Sequence, residues 1–304
     1  MKKIVFIINP NSGNGYGAEI GKKISKLAPS LRVECEILYT KNQGDATRFA
    51  DKYTKSDDVV IISVGGDGTM NEVLNGIHAG VTMGIIPSGS GNDFFRIIDP
   101  HITDIEELIK QTIAGTIRYI DYGIVNGKKF LGSFSVGLDA NVVDGSRKIQ
   151  QKNKRVRKSG YILAALAEVI KPNPFNMTFE DAQINVNQSC LFVSALNGQY
   201  YGGGFNSAPD ADIEDGLLDI NIVEAMKSTR IVSLLPVYMQ GKHYGLKEVI
   251  IHQSNRFTMT CDREMTAQVD GELFRASKFD VQVVNKGIPF LIAKGINKNE
   301  NTKR

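Results

Sequence analysis

Residues 63–72 read Ser-Val-Gly-Gly-Asp-Gly-Thr-Met-Asn-Glu, a glycine-rich turn with one carboxylate between the apolar run Val59 to Val64 and an amphipathic stretch from Thr69 to Ile77. Gly65, Gly66 and Gly68 let a backbone come close to a polyphosphate, while Asp67 reaches the accompanying cation. That combination points to nucleotide phosphate chemistry; the plainer alternative is a strand-to-helix turn with a capping aspartate. Two further loops argue against the plainer reading. Asn9-Pro10-Asn11-Ser12-Gly13-Asn14-Gly15 follows the apolar run Ile4 to Ile8, and Pro87-Ser88-Gly89-Ser90-Gly91-Asn92-Asp93 follows Met83 to Ile86. Each time an apolar strand empties into small hydrogen-bonding residues, and open α/β sheets bind ligands at the carboxyl ends of their strands.

Two phosphate-binding fingerprints are absent. Gly21-Lys22-Lys23 lacks the hydroxyl and the first glycine of a Walker A loop, which excludes a P-loop enzyme. Gly66 to Asn71 imitates the dinucleotide fingerprint but carries Asn71 where its third glycine belongs and Asp67 at its second position, against a dehydrogenase.

Acids stand out in the second half. Pro209 to Asp219 holds five in eleven residues, Asp210, Asp212, Glu214, Asp215 and Asp219. Such a segment is either a solvated turn or a set of oxygens suited to a hard cation such as Mg²⁺. Asp270-Gly271-Glu272 has the spacing of a hairpin turn with two exposed acids, either of which can accept a proton from a substrate hydroxyl if a cleft lies nearby. The four histidines show no metal-ligand spacing, and no Gly-x-Ser-x-Gly nucleophile is present. Cys35, Cys190 and Cys261 are isolated and read as buried hydrophobes of a reduced protein.

The elements that must position these residues change rhythm once. Up to about residue 120, apolar runs at Ile4 to Ile8, Val33 to Tyr39, Val59 to Val64 and Met83 to Ile86 alternate with helical patterns near Ala18 to Leu27, Ala46 to Tyr53, Asn71 to Ile77 and Asp104 to Ile113. This predicts an α/β fold with an N-terminal doubly wound parallel-sheet nucleotide domain, residues 1–122. After Asp121 come short alternating runs: Tyr119 to Val125 and Phe130 to Val136 around the Asn126-Gly127 hairpin signal, then Cys190 to Leu196, Leu218 to Val223, Arg256 to Cys261, Ala267 to Val269 and Phe279 to Val284. They predict a mostly antiparallel β-sandwich domain, residues 123–290, with helices near 141–151, 160–170 and 229–240. The segment 291–304 is expected to pack back on the first domain and to fray at its end.

A net charge of +3 on 304 residues gives no reason to expect nucleic acid as a partner. Arg147, Lys148, Lys152, Lys154, Arg155, Arg157 and Lys158 nevertheless crowd into twelve residues without an acid. The run is either a solvated surface or a contact for an anionic phospholipid surface. The apolar helix pattern from Tyr161 to Ile170 beside it suits a membrane interface or plain core. No stretch has the length of a membrane span and no secretory signal is legible, so a cytoplasmic protein, peripherally associated with membrane, is expected.

Taken in order, Asn9-Pro10 with Ser12-Gly13, Thr40 before Gly44-Asp45-Ala46, Gly65 to Thr69 with Asn71-Glu72, Gly89 to Asp93, Asp121, Pro209 to Ala211, Asp215-Gly216, Leu218-Asp219 and Asp270 to Glu272 resemble one family over nearly the full length. The chain resembles the bacterial diacylglycerol kinase-like lipid kinases, relatives of sphingosine and ceramide kinases. The resemblance implies that ATP is held by Asn9, Pro10, Asn11, Ser12, Gly13, Thr40, Gly65, Gly66, Asp67, Gly68, Thr69, Met70, Asn71, Glu72, Ser90, Asn92 and Asp93. It implies that Asp67 reaches a catalytic Mg²⁺ through water and that Asp93 and Asp121 belong to the network around the nucleotide. A structural Mg²⁺ would sit on Asp215 with oxygens from Asp212 and Leu217. Asp270 or Glu272 would be the base for a lipid substrate presented at the membrane, and diacylglycerol would become phosphatidic acid. Asn14 departs from the basic residue common after the first loop, and Ser90 replaces a threonine but keeps its hydroxyl. NAD kinase shares the Gly-Gly-Asp-Gly core and stands second; a non-catalytic nucleotide or lipid sensor stands third. A homodimer is left open.

Overall fold

The computed structural model describes residues 3–31, 33–89, 91–98, 101–152 and 169–294. It divides into two compact units, Met1–Ile120 with Lys286–Arg304, and Asp121–Asn285.

The first unit is built on four parallel strands, β1 (Lys3–Ile8), β2 (Glu34–Tyr39), β3 (Val59–Gly65) and β4 (Thr82–Pro87), in the order β4-β3-β1-β2. Ile8 lies opposite both Tyr39 and Val64, and Gly65 opposite Pro87. The strand ends are therefore level, which sets the loops after β1, β3 and β4 along one edge of the sheet. Strands buried on both faces are apolar at every position, as Ile4 to Ile8 are. Ile4, Phe6 and Ile8 pack with Ile20 and Ile24 of α1 (Tyr16–Leu27) and Leu108 and Ile109 of α5 (Ile105–Ile113). Three shorter helices complete this unit: α2 (Asp45–Ala50), α3 (Asp67–Gly76) and α4 (Phe95–Ile98).

The second unit is antiparallel. Its elements are β5 (Thr116–Val125, whose first residues belong to the first unit), β6 (Lys128–Phe130), β7 (Ser133–Gly137), α6 (Leu138–Lys152), β8 (Phe175–Glu180), β9 (Asn185–Leu196), the short β10 (Tyr200–Tyr201) and β11 (Phe205–Asn206), β12 (Leu218–Glu224), α7 (Ser228–Met239), β13 (Val249–Ser254), β14 (Arg256–Val269) and β15 (Glu272–Ile292). The first half of β9 pairs with β8 and its second half with β7, and β14 does the same. β7 and β8 thus lie end to end between two long strands, around a core rich in phenylalanine where Phe179 stacks on Phe257 at 4.8 Å. The last residues of β15 belong to the first unit, where Phe290 and Leu291 pair in parallel with Met83 and Gly84.

Three expectations need correction. Phe130 to Val136 is not one strand: it breaks at Leu131-Gly132, whose N–H groups bond a side chain instead of a neighbouring strand. Arg256 to Val269 is one strand rather than two, with the register slipping between Thr260 and Met265 where polar residues interrupt the alternation. Phe175–Glu180 and Val249–Ser254 are strands that the sequence reading missed. The apolar pattern from Tyr161 to Ile170 lies outside the described residues except for Val169 and Ile170.

Candidate active site

The three loops of the first unit meet at their backbones. Ser12 Oγ donates to Asn9 O (2.7 Å) and also contacts Ser88 Oγ, joining the first loop to the third. Gly13 has φ +57°, and a Cβ there would stand 2.1 Å from Ser88 O, so conformation and space both demand glycine. Asn9 Nδ2 donates to Thr69 Oγ1 (3.3 Å), reaching the second loop. Gly66 and Gly89 face each other so closely that a Cβ on Gly89 would lie 2.6 Å from Gly66 Cα.

Asp67 opens α3, which has no side-chain cap. Its carboxylate turns to the third loop, where Oδ2 accepts from Asn92 N (3.0 Å) and Oδ1 from Asp93 N (3.1 Å). Asn92, at φ +53°, closes that loop by bonding Gly89 N and Gly89 O through its side-chain amide. The loop edge thus combines glycine backbone with a helix N-terminus, a setting that attracts phosphate, and it holds one carboxylate in fixed orientation. Asp93 is near Arg96, 3.8 Å away. Ser90 lies outside the described residues.

Other nucleotide residues named from sequence have different surroundings. Thr40 Oγ1 donates to Ile8 O (3.4 Å) and ties the end of β2 to β1. Glu72 Oε2 accepts from Ala46 N (3.2 Å), and its carbonyl accepts from Thr47 Oγ1 (2.8 Å), so it joins α3 to α2. Met70 and Asn71 are buried.

In the second unit, the acidic segment folds around Asp121. Asp121 Oδ2 accepts from Gly216 N (2.6 Å), and its N–H donates to Ile213 O (2.7 Å). Asp212 Oδ1 accepts from Glu214 N, and Asp215 Oδ1 from Leu217 N at 2.8 Å.

The hairpin Asp270-Gly271 has positive φ at both residues, as the tight turn between Val269 and Glu272 requires. The expectation of two exposed acids is wrong for Asp270. It is 7% exposed, and its carboxylate accepts from Leu131 N (2.8 Å), Gly132 N (2.9 Å) and Ser133 N (3.0 Å). Glu272 is partly exposed and paired through Oε1 with Arg147 Nη2 (3.0 Å), which also donates to Gly271 O (2.7 Å). Gln268 braces the turn, accepting from Gly271 N and donating to Ser135 Oγ. Neither Arg147 nor Gln268 was singled out from sequence as a hairpin partner; a basic residue in a run gives no sign of which acid it meets.

The residues 3–125 match the model of the diacylglycerol kinase catalytic domain, and residues 132–291 that of the YegS C-terminal NAD kinase beta sandwich-like domain. The chain belongs to the diacylglycerol kinase-like lipid kinase family. Among relatives of this lipid kinase family member, the diacylglycerol kinase of Bacillus subtilis (strain 168) is 28% identical over 284 residues, covering 90% of each chain. A crystal structure of a diacylglycerol kinase from Bacillus anthracis str. Sterne superposes with a TM-score of 0.75 at 21% identity, covering 97% of this chain and 98% of that one. An NAD kinase from Archaeoglobus fulgidus in complex with ATP reaches 0.52 at 12% identity, covering 97% and 94%. The two structures show a shared fold.

The acidic segment offers oxygens of the kind that the Mg²⁺ implied by the resemblance would take. Burial raises the Asp215 carboxyl above its ordinary range, with Asp212 and Asp121 adding to the rise, and burial with Asp215 and Asp210 pushes Asp219 up to about 6. No cationic side chain is among the causes, and oxygens are the donors a hard cation takes. Among the described residues, no three acids, histidines or cysteines converge into a cage. Mg²⁺ commonly uses one or two carboxylates and keeps its waters, so Asp215, Asp212 and the Leu217 carbonyl fit it.

A raised carboxyl pKa contributes stability that is complete below about pH 4 and lost as pH rises through the folded value, about 6 for Asp219. A bound cation offsets that loss. Mg²⁺ is expected to raise the melting temperature at about pH 7.5, less at about pH 5, and less in Asp215→Ala than in the wild type. Differential scanning fluorimetry checks this; equal Mg²⁺ responses in both proteins would make the segment a solvated turn.

Proposed function

We propose that the protein is an ATP-dependent lipid kinase that transfers the terminal phosphoryl group of ATP to a lipid hydroxyl, with diacylglycerol giving phosphatidic acid. The observation that carries this reading is the seating of Asp67, whose two oxygens are fixed by the backbone of a second phosphate loop in a chain of this family. Phosphoryl transfer needs positioning and charge dispersal more than covalent help from the protein. The glycine loops and the start of α3 hold the phosphates, and Mg²⁺ supplies the dispersal of charge when bound.

Of the two hairpin acids, Glu272 is assigned as the base. Asp270 has given its oxygens to three backbone donors, whereas Glu272 is half-buried and meets Arg147 through Oε1. In the step, the lipid O–H proton passes to Glu272, the oxygen bonds to the terminal phosphorus, and the bond from that phosphorus to the bridging oxygen breaks, releasing ADP.

Docking at an anionic bilayer is proposed for the basic run, but not for all of it. Arg147 is paired with Glu272, and Lys148 with Asp144 at 2.6 Å. Lys154, Arg155, Arg157 and Lys158 lie outside the described residues. Among the described residues, no helix is long and apolar enough to cross a membrane.

Radiolabelled ATP incubated with lipid extract in anionic vesicles, with NAD, and with neither separates the readings. Label is expected in lipid, and less of it when those four cations become glutamine, because each contributes on the order of 1 kcal/mol near an anionic surface. Label in NAD would favour the NAD kinase reading, and no transfer at all would favour a sensor. Unchanged vesicle binding at low salt in the four-glutamine variant would end the docking proposal.

A further inference from the structure

We propose that Arg147 is a positioning residue for the transfer: it holds the Glu272 carboxylate in place, and its loss slows the reaction through Glu272. This rests on the reading of Glu272 as the base. A base must come within about 2.6–3.2 Å of the oxygen whose proton it takes, yet a glutamate carboxylate stands at the end of a flexible stem and wanders unless something holds it. Arg147 Nη2 donates to Glu272 Oε1 at 3.0 Å and to Gly271 O at 2.7 Å. One nitrogen thus ties the carboxylate to the backbone of its own hairpin.

That hairpin is a fixed point. Asp270 and Gly271 turn at φ +46° and +85°. Asp270 N donates to Ser133 O (2.9 Å), while the Asp270 carboxylate accepts from the N–H groups of Leu131, Gly132 and Ser133. Gln268 Nε2 donates to Ser135 Oγ (2.8 Å), and Gln268 Oε1 accepts from Gly271 N (2.7 Å). The backbone at the tip is therefore held by residues 131–135, and the side chain of Glu272 is the part left to be placed.

Arg147 stands on the same support. β7 runs without a break into α6, so the stretch that grips the turn also carries Arg147. Val142 and Ser146 are buried on one face of α6, and Ser146 Oγ donates to Val143 O at 2.9 Å, which fixes the turn of helix from which Arg147 projects. The neighbouring cation does not compete, because Lys148 pairs with Asp144. The contact is too open to be a pillar of the fold: the side chains of Arg147 and Glu272 are 40% and 30% exposed, and ion pairs so exposed add little to stability. Its effect falls on where the carboxylate points, and a small displacement of a catalytic group costs rate out of proportion to the energy that held it.

The test is a double-mutant cycle in the whole chain, with kcat and the KM for ATP measured for Arg147→Met, Glu272→Gln and the two combined, and melting as the control for folding. Methionine keeps a long apolar stem and removes the donors. Arg147→Met alone is expected to lower kcat by about 10–10²-fold, with the KM for ATP within about twofold of the wild type. Added to Glu272→Gln, it should lower the remaining rate by less than about twofold, since no carboxylate is left to place. If Arg147→Met does not fold, Arg147→Gln takes its place in the cycle. A folded Arg147 variant with wild-type kcat, one whose full loss persists on top of Glu272→Gln, or one whose loss lies in the KM for ATP would overturn the proposal. The base assignment fails separately: it falls if Glu272→Gln alone keeps its rate, whereas a slow Glu272→Gln beside a fast Arg147→Met removes only the role of Arg147.

Discussion

Asp67→Asn is expected to lower turnover by about 10²–10³-fold while leaving the melting temperature within a few degrees of the wild type. The amide has nearly the shape of the carboxylate, but it lacks the charge and has one acceptor where two are used. Its NH₂ would face either Asn92 N–H or Asp93 N–H, donor against donor, at sites now spanned by bonds of 3.0 and 3.1 Å. The third loop then loses its anchor at the place where it meets Gly66. The measurement is kcat and kcat/KM for ATP at saturating Mg²⁺, with melting as the control. Near wild-type turnover would remove Asp67 from the centre of the mechanism.

Asp270→Asn and Glu272→Gln are expected to fail in different ways. Asparagine at 270 leaves at least one of three buried N–H donors facing an NH₂ group, at a cost of about 1–3 kcal/mol and a melting temperature lower by several degrees. Glutamine at 272 replaces a partly exposed side chain of equal size, so the fold keeps its stability, while the proton loses its acceptor and kcat falls by about 10²–10⁴. ATP affinity should change little. A stable Asp270→Asn that loses rate, beside an active Glu272→Gln, would exchange the two roles.

Much of the first unit was legible because its signals are local. An apolar run that empties into glycine, serine and asparagine is a contiguous stretch of sequence, and the levelness of β1, β3 and β4 follows from parallel pairing. Gly13 and Asn92, both at positive φ, show that the loop residues are there for backbone shape. What was not legible depends on partners far along the chain. Asp270 looked like an exposed turn acid because its three donors lie 137 to 139 residues away. Arg147 looked like one cation of a run, and only the fold shows that it meets Glu272, 125 residues on. Glu72 follows the glycine turn in sequence, and its bond to α2, with Oε2 accepting from Ala46 N, has no local sign there. The strand Phe175–Glu180 carried a visible alternation, Phe175, Met177 and Phe179 all inward, but its six residues stand just past Pro172 and Pro174 and drew no strand assignment.

The most direct measurement follows a single defined substrate. Purified protein, ATP and Mg²⁺ are mixed with a diacylglycerol in anionic vesicles, and phosphorus NMR follows every phosphorus atom through the reaction. The expected result is the loss of the terminal ATP resonance with equal gains of ADP and of a lipid phosphomonoester, abolished in Glu272→Gln. ADP accompanied only by inorganic phosphate, or an ATP spectrum that does not change while the protein remains folded, would contradict the assignment as a lipid kinase.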